Sequence, residues 1–212
     1  MGVVAMKKGH YSLIAIILAL LLVSQNHLKH SFGDSIFKSI GLSPWTNGEN
    51  LGLHLPVIIG IILLIIGFIG AGRYYRSKYP KITSRLVIGC IVFFLVFPFI
   101  TEGVMFLVKY NSKGMDSIDI SSGKCSFKSV ENSVTADCSF TLFNYGEVDK
   151  IAINPILPNY LDDVDIEFER IVIPLDKHRR MTFGFPFKGM QRKGSGFTGA
   201  AQGVSFEVVV NN

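Results

Sequence analysis

Two apolar runs, residues 53–72 and 86–108, flank a thirteen-residue segment, RYYRSKYPKITSR, that carries five Lys/Arg and no acid. Each run reaches the ~20 residues that a helix needs to cross ~30 Å of hydrocarbon. A chain built this way must satisfy lipid before it satisfies water, so half of it is expected to fold as membrane helices. The other half is different. Across 212 residues the mean hydropathy is +0.39 with 17% charged side chains, too apolar for one soluble domain and too polar for a bare helical bundle.

Charge is divided in the same way. Residues 1–108 hold nine Lys/Arg and three Asp/Glu, whereas 109–212 hold twelve and thirteen. The sequence pI of about 9.1 is therefore a property of the apolar half, where basic residues orient helices, and gives no support to nucleic-acid binding. Lys7 and Lys8 precede a first apolar run at 11–23, and the 24–52 loop balances Lys29 and Lys38 with Asp34 and Glu49. The 73–85 loop has only positives. The positive-inside rule then predicts a cytoplasmic N-terminus (1–10), crossings at 11–23, 53–72 and 86–108, a cytoplasmic 73–85 loop and an extracytoplasmic domain at 109–212 of a plasma-membrane protein. The first run has thirteen residues and rises only ~20 Å, so it reads as an uncleaved anchor or, alternatively, as a signal peptide.

Within the outer loop, Asp34 is the expected N-cap and Gly41 the C-cap of a helix at 34–41, with Ile36, Phe37 and Ile40 on one face and Trp45 in the following turn. Such a helix either lies in the membrane interface or packs on the soluble domain. Small residues Gly60, Gly67 and Ala71 mark a packing face on the second span, used within the chain or for a homo-oligomer. Pro98 predicts a kink in the third span. Glu102 and His54 fall at a similar outer level of their helices and form a candidate intramembrane polar pair.

After Lys109 the pattern changes to strict alternation. Val134, Ala136, Cys138, Phe140 and Leu142 alternate with Thr135, Asp137, Ser139, Thr141 and Phe143, and the same reading fits Ile118/Ile120, Cys125/Phe127, residues 148–153, Val164/Ile166/Phe168, Met181/Phe183/Phe185/Phe187 and Val204/Phe206/Val208/Val210. About seven short strands separated by turns predict an antiparallel β-sandwich of immunoglobulin-like architecture. The run IEFERIVIP breaks its alternation at Arg170, where a bulge is expected. A hairpin turning at Glu131 and Asn132 sets Ser129 opposite Val134, Phe127 opposite Ala136 and Cys125 opposite Cys138. A Cys125–Cys138 disulfide follows, with two reduced core cysteines as the alternative, and an extracytoplasmic domain is where the bridge would persist.

No motif points to catalysis. Nucleophile–base signatures are missing, and His178 is the one histidine after Lys109. Gly194, Gly196 and Gly199 spell G-x-G-x-x-G without the following helix that a nucleotide site needs. His27 and His30 lack a completing ligand cluster for a metal, and LDDVDIEFER lacks the Gly and Glu of an EF-hand loop. No cofactor and no metal are expected. Gln191, Arg192 and Lys193, beside those glycines, are a candidate loop for a polar ligand. The expected function is a membrane-anchored binding module, not an enzyme, that recognises a protein or an envelope polymer. The alternative is an accessory subunit of a membrane transporter or membrane enzyme complex, with the small-residue face and Glu102 as contacts.

Overall fold

The computed structural model describes residues 2–47, 52–121, 123–156, 166–191 and 198–210, with side chains described from residue 9 onward. The chain forms two units, Met1–Glu102 and Gly103–Asn212. The first is helical: α1 (Gly2–Val23), α2 (Phe32–Ser39), α3 (Leu55–Tyr75) and most of α4 (Ile82–Val108). Among the described residues, α3 and α4 are the two helices long and apolar enough to cross a membrane, and they suggest a membrane anchor. The apolar part of α1, Gly9–Val23, is shorter, so length singles out two of the three expected crossings. α4 runs through Pro98 as one helix, and the Thr101 hydroxyl donates to the Pro98 carbonyl at 2.9 Å.

Helices α1 and α3 meet where side chains are smallest. A Cβ on Gly67 would lie 2.5 Å from Ile16 and 2.9 Å from the Ser12 carbonyl, and one on Gly60 would lie 2.5 Å from Val23. Ala71 is fully buried, and Ile16 and Leu20 fill the seam. In lipid, apolar side chains gain nothing from leaving their solvent, so helices associate through close backbone approach and packing. The expected face of Gly60, Gly67 and Ala71 is thus occupied by α1 of the same chain.

The loop helix begins two residues earlier than its sequence suggests, at Phe32. Ser31, not Asp34, is the N-cap: its hydroxyl accepts the Asp34 N–H at 3.3 Å. At the other end Gly41 (φ 77°) follows the helix, with Leu42 N–H on the Phe37 carbonyl and Gly41 N–H on that of Lys38, a Schellman closure. Phe37 is buried, whereas Ile40 and Leu42 are exposed.

The second unit carries β1 (Ile118–Ile120), β2 (Gly123–Val130), β3 (Ser133–Asn144), β4 (Lys150–Ile156), β5 (Ile166–Phe168), β6 (Ile171–Pro174), β7 (Arg179–Gln191) and β8 (Thr198–Val210). They form one antiparallel sheet in the order β5-β7-β3-β2-β8-β4-β6, with β1 also on β3. Its curl follows from two features of the chain. First, β8 pairs with β2 through residues 198–204 and with β4 through 205–210, turning between them beside Gly203 (φ 77°). Second, the outermost strands β5 and β6 are joined only by Glu169 and Arg170, which holds the two edges of the sheet within ~11 Å at that corner. The break of alternation at Arg170 is therefore a change of partner, from β7 to β4, and not a bulge. A one-residue register shift does occur between Ile120 of β1 and Lys124 of β2, strands that otherwise form one arm against β3.

The β2–β3 register is the one the alternation predicts: Ser129 faces Val134, Phe127 faces Ala136 and Cys125 faces Cys138. The two cysteines form a disulfide, with Cα atoms 4.1 Å apart. Inside the curl lie Phe127, Phe140, Leu142, Ile151, Ile153, Ile173 and Phe187, all buried, while Phe183, Phe185 and Phe206 are half-buried at its rim. The last two strands run beyond the alternating residues 181–187 and 204–210, because β7 continues to Gln191 and β8 begins at Thr198.

Candidate functional site

In the helical unit, the carboxylate that reaches His54 is Asp34, not the expected Glu102. His54 caps the start of α3, Asp34 stands in the first turn of α2, and Nε2 and Oδ1 are 2.5 Å apart. The Trp45 ring lies on the imidazole at 4.5 Å, and a β-bridge joins the two residues. A carboxylate on one ring nitrogen and an indole on one face fix the imidazole, so the group ties the outer loop to α3. Glu102 is half-buried on α4. His27, expected at most as half of a metal pair, binds Thr101 through its backbone N–H at 3.1 Å and sets Nδ1 at 3.3 Å from the same hydroxyl. No group of three or more His, Cys, Asp or Glu placed to hold a metal occurs among the described residues.

On the β unit, alternation sends every second side chain of β2, β3, β7 and β8 outward, and those chains are short. Ala200, Ser126, Asp137 and Pro186 form one row across the four strands, and Gln202, Lys124, Ser139 and Gly184 form the next. Together they line an open hollow of about 430 Å³ above the disulfide. Lys128 and Lys188 flank it in the following row, beside Thr135 and Thr198. Little side chain covers the backbone, and cations stand on two sides of it.

A deeper cavity of about 710 Å³ lies elsewhere on this unit, between the segment that follows α4 and the turns around β4 and β7. Tyr110, Lys113, Glu147, Asp149, Lys150 and His178 are among its walls. Its geometry starts from Tyr145, which is fully buried: Phe106, from the last turns of α4, packs on its ring at 4.9 Å. Lys109 lies over the same ring at 5.1 Å and binds Asp119 at 2.9 Å. Gly146 comes next because a Cβ there would strike the Ser112 carbonyl and come within 2.8 Å of Ser117. His178 occupies the left-handed region (φ 49°), held by its N–H on the Gly146 carbonyl at 3.1 Å. Its Nδ1 is 2.5 Å from the Tyr145 carbonyl, which can only accept, so the proton sits on Nδ1. The ring stacks flat on Tyr110 at 4.1 Å. A non-glycine residue in this conformation persists only where its surroundings hold it, which is common at binding sites.

Of the remaining sequence candidates, Gln191 is buried at the end of β7 and bonded to the Ser129 hydroxyl at 2.8 Å, so it belongs to the domain interior and not to a ligand loop. Arg192 and Lys193, Gly194 and Gly196, and Asp162, Asp163 and Asp165 lie outside the described residues, while Gly199 stands in β8 opposite Phe127. Sequence reasoning missed the Asp34–His54 pair and the His178 cavity. Neither has a local signature: His54 is 20 residues from Asp34, and His178 is 33 from the carbonyl it binds. Comparison with protein families, with curated proteins and with solved structures found no match for this chain.

Proposed function

We propose that this chain is a membrane-anchored binding module of the plasma membrane, in which α1, α3 and α4 cross the bilayer and the β unit stands on the extracytoplasmic side. The reading places the N-terminus and the basic connection between α3 and α4 in the cytoplasm, by the same charge asymmetry as the sequence. A disulfide in the β unit agrees with an oxidising compartment. The curled sheet then serves as an immunoglobulin-like sandwich, presenting an outer face to a protein or an envelope polymer. No enzymatic activity is proposed.

The hollow over β2, β3, β7 and β8 carries this reading, because short side chains leave room for a ligand to reach backbone and lysine together. Gly184→Arg tests it. No atom lies within 4 Å of a Cβ at that position, so the variant fills the hollow without disturbing the sheet. Crosslinking on intact cells with an impermeant reagent, followed by recovery in mild detergent, should capture a surface protein or polymer on the wild type and lose it in Gly184→Arg. A stoichiometric integral-membrane partner retained by Gly184→Arg would instead favour the accessory-subunit reading. That subunit would make its contacts through the exposed apolar surface of α4, since α1 already covers the small-residue face of α3.

A further inference from the structure

The cavity around His178 lies close in sequence to the end of α4. Tyr110, its first wall, follows by two residues the last helical residue, Val108. Leu107 and Val108 are 80% and 73% exposed, the apolar end of a helix made for lipid. In the anchored reading, on which this inference rests, the cavity therefore opens where α4 leaves the hydrocarbon, at the level of the lipid headgroups. Its chemistry fits that level. The stacked rings of Tyr110 and His178 join an apolar body to polar atoms, as interfacial aromatic residues do. Val210 adds an apolar wall.

The charges decide the ligand. Glu147 and Asp149 both face Lys177, at 3.9 Å and 3.7 Å. Lys113 and Lys150 also line the cavity, and neither has an ion-pair partner among the described residues. Lys177 offsets one of these two carboxylate charges, so with Lys113 and Lys150 the cavity and its rim keep a net positive charge for whatever enters.

We infer that this cavity binds a phosphate-bearing anion, namely the headgroup of an anionic phospholipid, with Lys113 and Lys150 as its cationic contacts. A lysine near an anionic surface contributes about fivefold in affinity, so removing both should weaken retention by roughly 25-fold.

The test uses the full chain in detergent, exchanged against phosphatidylglycerol or phosphatidylcholine and read by native mass spectrometry. The wild type should hold phosphatidylglycerol in preference to phosphatidylcholine. Lys113→Gln/Lys150→Gln should lose the preference, and Lys124→Gln/Lys128→Gln, on the outer sheet face, should keep it. A second readout avoids dependence on the double variant: a photoactivatable phosphatidylglycerol should label wild-type residues 110–114. Equal retention of the two lipids, a preference unaffected by the double variant, or labelling elsewhere would overturn the assignment. Binding of inorganic phosphate at this cavity in phosphatidylcholine discs, without preference for phosphatidylglycerol, would make the ligand a soluble phosphate and also overturn it. Failure of the anchoring itself would show separately, as release of the chain from membranes by alkaline carbonate.

Discussion

Helices α1 and α3 are joined where side chains are missing, whereas the strands of the β unit are joined where side chains are largest. The seam of the helical pair is built on Gly60, Gly67 and Ala71, with backbone carbonyls of α1 nearly touching α3. The core of the β unit is built on Phe127, Phe140 and Phe187 with a fringe of half-buried aromatic rings. In the proposed membrane-anchored reading, the contrast reflects two solvents. Water rewards each apolar side chain it loses, at ~1.5–3 kcal/mol for a large one, while lipid rewards only contact geometry. Mutations should therefore act oppositely in the two units: truncation should damage the β unit, and enlargement the helical pair.

The largest effect should come from Phe127→Ala. This side chain is 2% exposed and touches Phe168 across the curl, at 6.3 Å between ring centroids. Deleting a buried aromatic costs ~3–5 kcal/mol in transfer and cavity terms. Urea unfolding of residues 103–212 should show a midpoint lowered in proportion. A loss under 1 kcal/mol would mean that the core collapses around the gap, and that the β unit is not held by jigsaw packing.

Next is the disulfide, which closes a sequence separation of 13 residues. Loop closure of this size is worth about 3 kcal/mol in the chain-entropy account. Cys125→Ser and Cys138→Ser should each lower the thermal midpoint, and the double variant should be no worse than either single one. Free thiols at both positions in protein taken from intact cells under thiol-blocking conditions would remove the bridge and, with it, the argument for an oxidising compartment.

In the helical pair the informative change is addition. Gly67→Leu puts bulk onto Ile16 and the Ser12 carbonyl, at a cost of ~1–3 kcal/mol for overpacking. Gly89→Leu, on α4, has open space and should be tolerated. Cysteine crosslinking between α1 and α3 should fall in Gly67→Leu alone. Equal crosslinking in the two variants would mean that the helices are not joined by close approach.

What the sequence made legible follows the same division. The β2–β3 register could be read because a two-residue turn and a period of two leave a single way to bury Phe127, Ala136, Cys125 and Cys138 together. The packing face of α3 was legible because Gly60, Gly67 and Ala71, seven and four residues apart, fall on one side of a helix. The exchange at Glu169 and Arg170 was not, since a broken alternation looks the same whether a strand bulges or changes neighbour. Residues 198–203 were concealed by their glycine content, which argues against a strand until their pairing with β2 is seen. A Cβ on Gly123 would lie 2.6 Å from the Phe206 ring. The Asp34–His54 and His178–Tyr145 contacts depend on how α2 folds back and how the turns meet, and no local periodicity encodes either.

The smallest effect concerns that same exchange corner. Arg170 donates to Glu207 on β8 at 3.0 Å and to Asn154 on β4 at 3.4 Å, tying the β5–β6 connection to the two strands beside it. The Arg170 hydrogen bond, then that of Asn154, then the charge of Arg170 hold the Glu207 carboxyl below its ordinary value of 4.5. A carboxyl whose pKa is lower folded than unfolded adds stability above the unfolded value and loses it as pH falls through the folded one. Both partners are half-exposed, so screening by water and salt keeps the contribution small. Wild type and Glu207→Gln should therefore differ slightly in thermal midpoint near neutral pH, and the two curves should converge as pH falls below 4.5. High salt should shrink the gap at neutral pH in the same way. A gap that persisted in acid would show that the glutamine disturbs packing at the corner, and that this exposed ion pair does not help to hold the two edges of the sheet together.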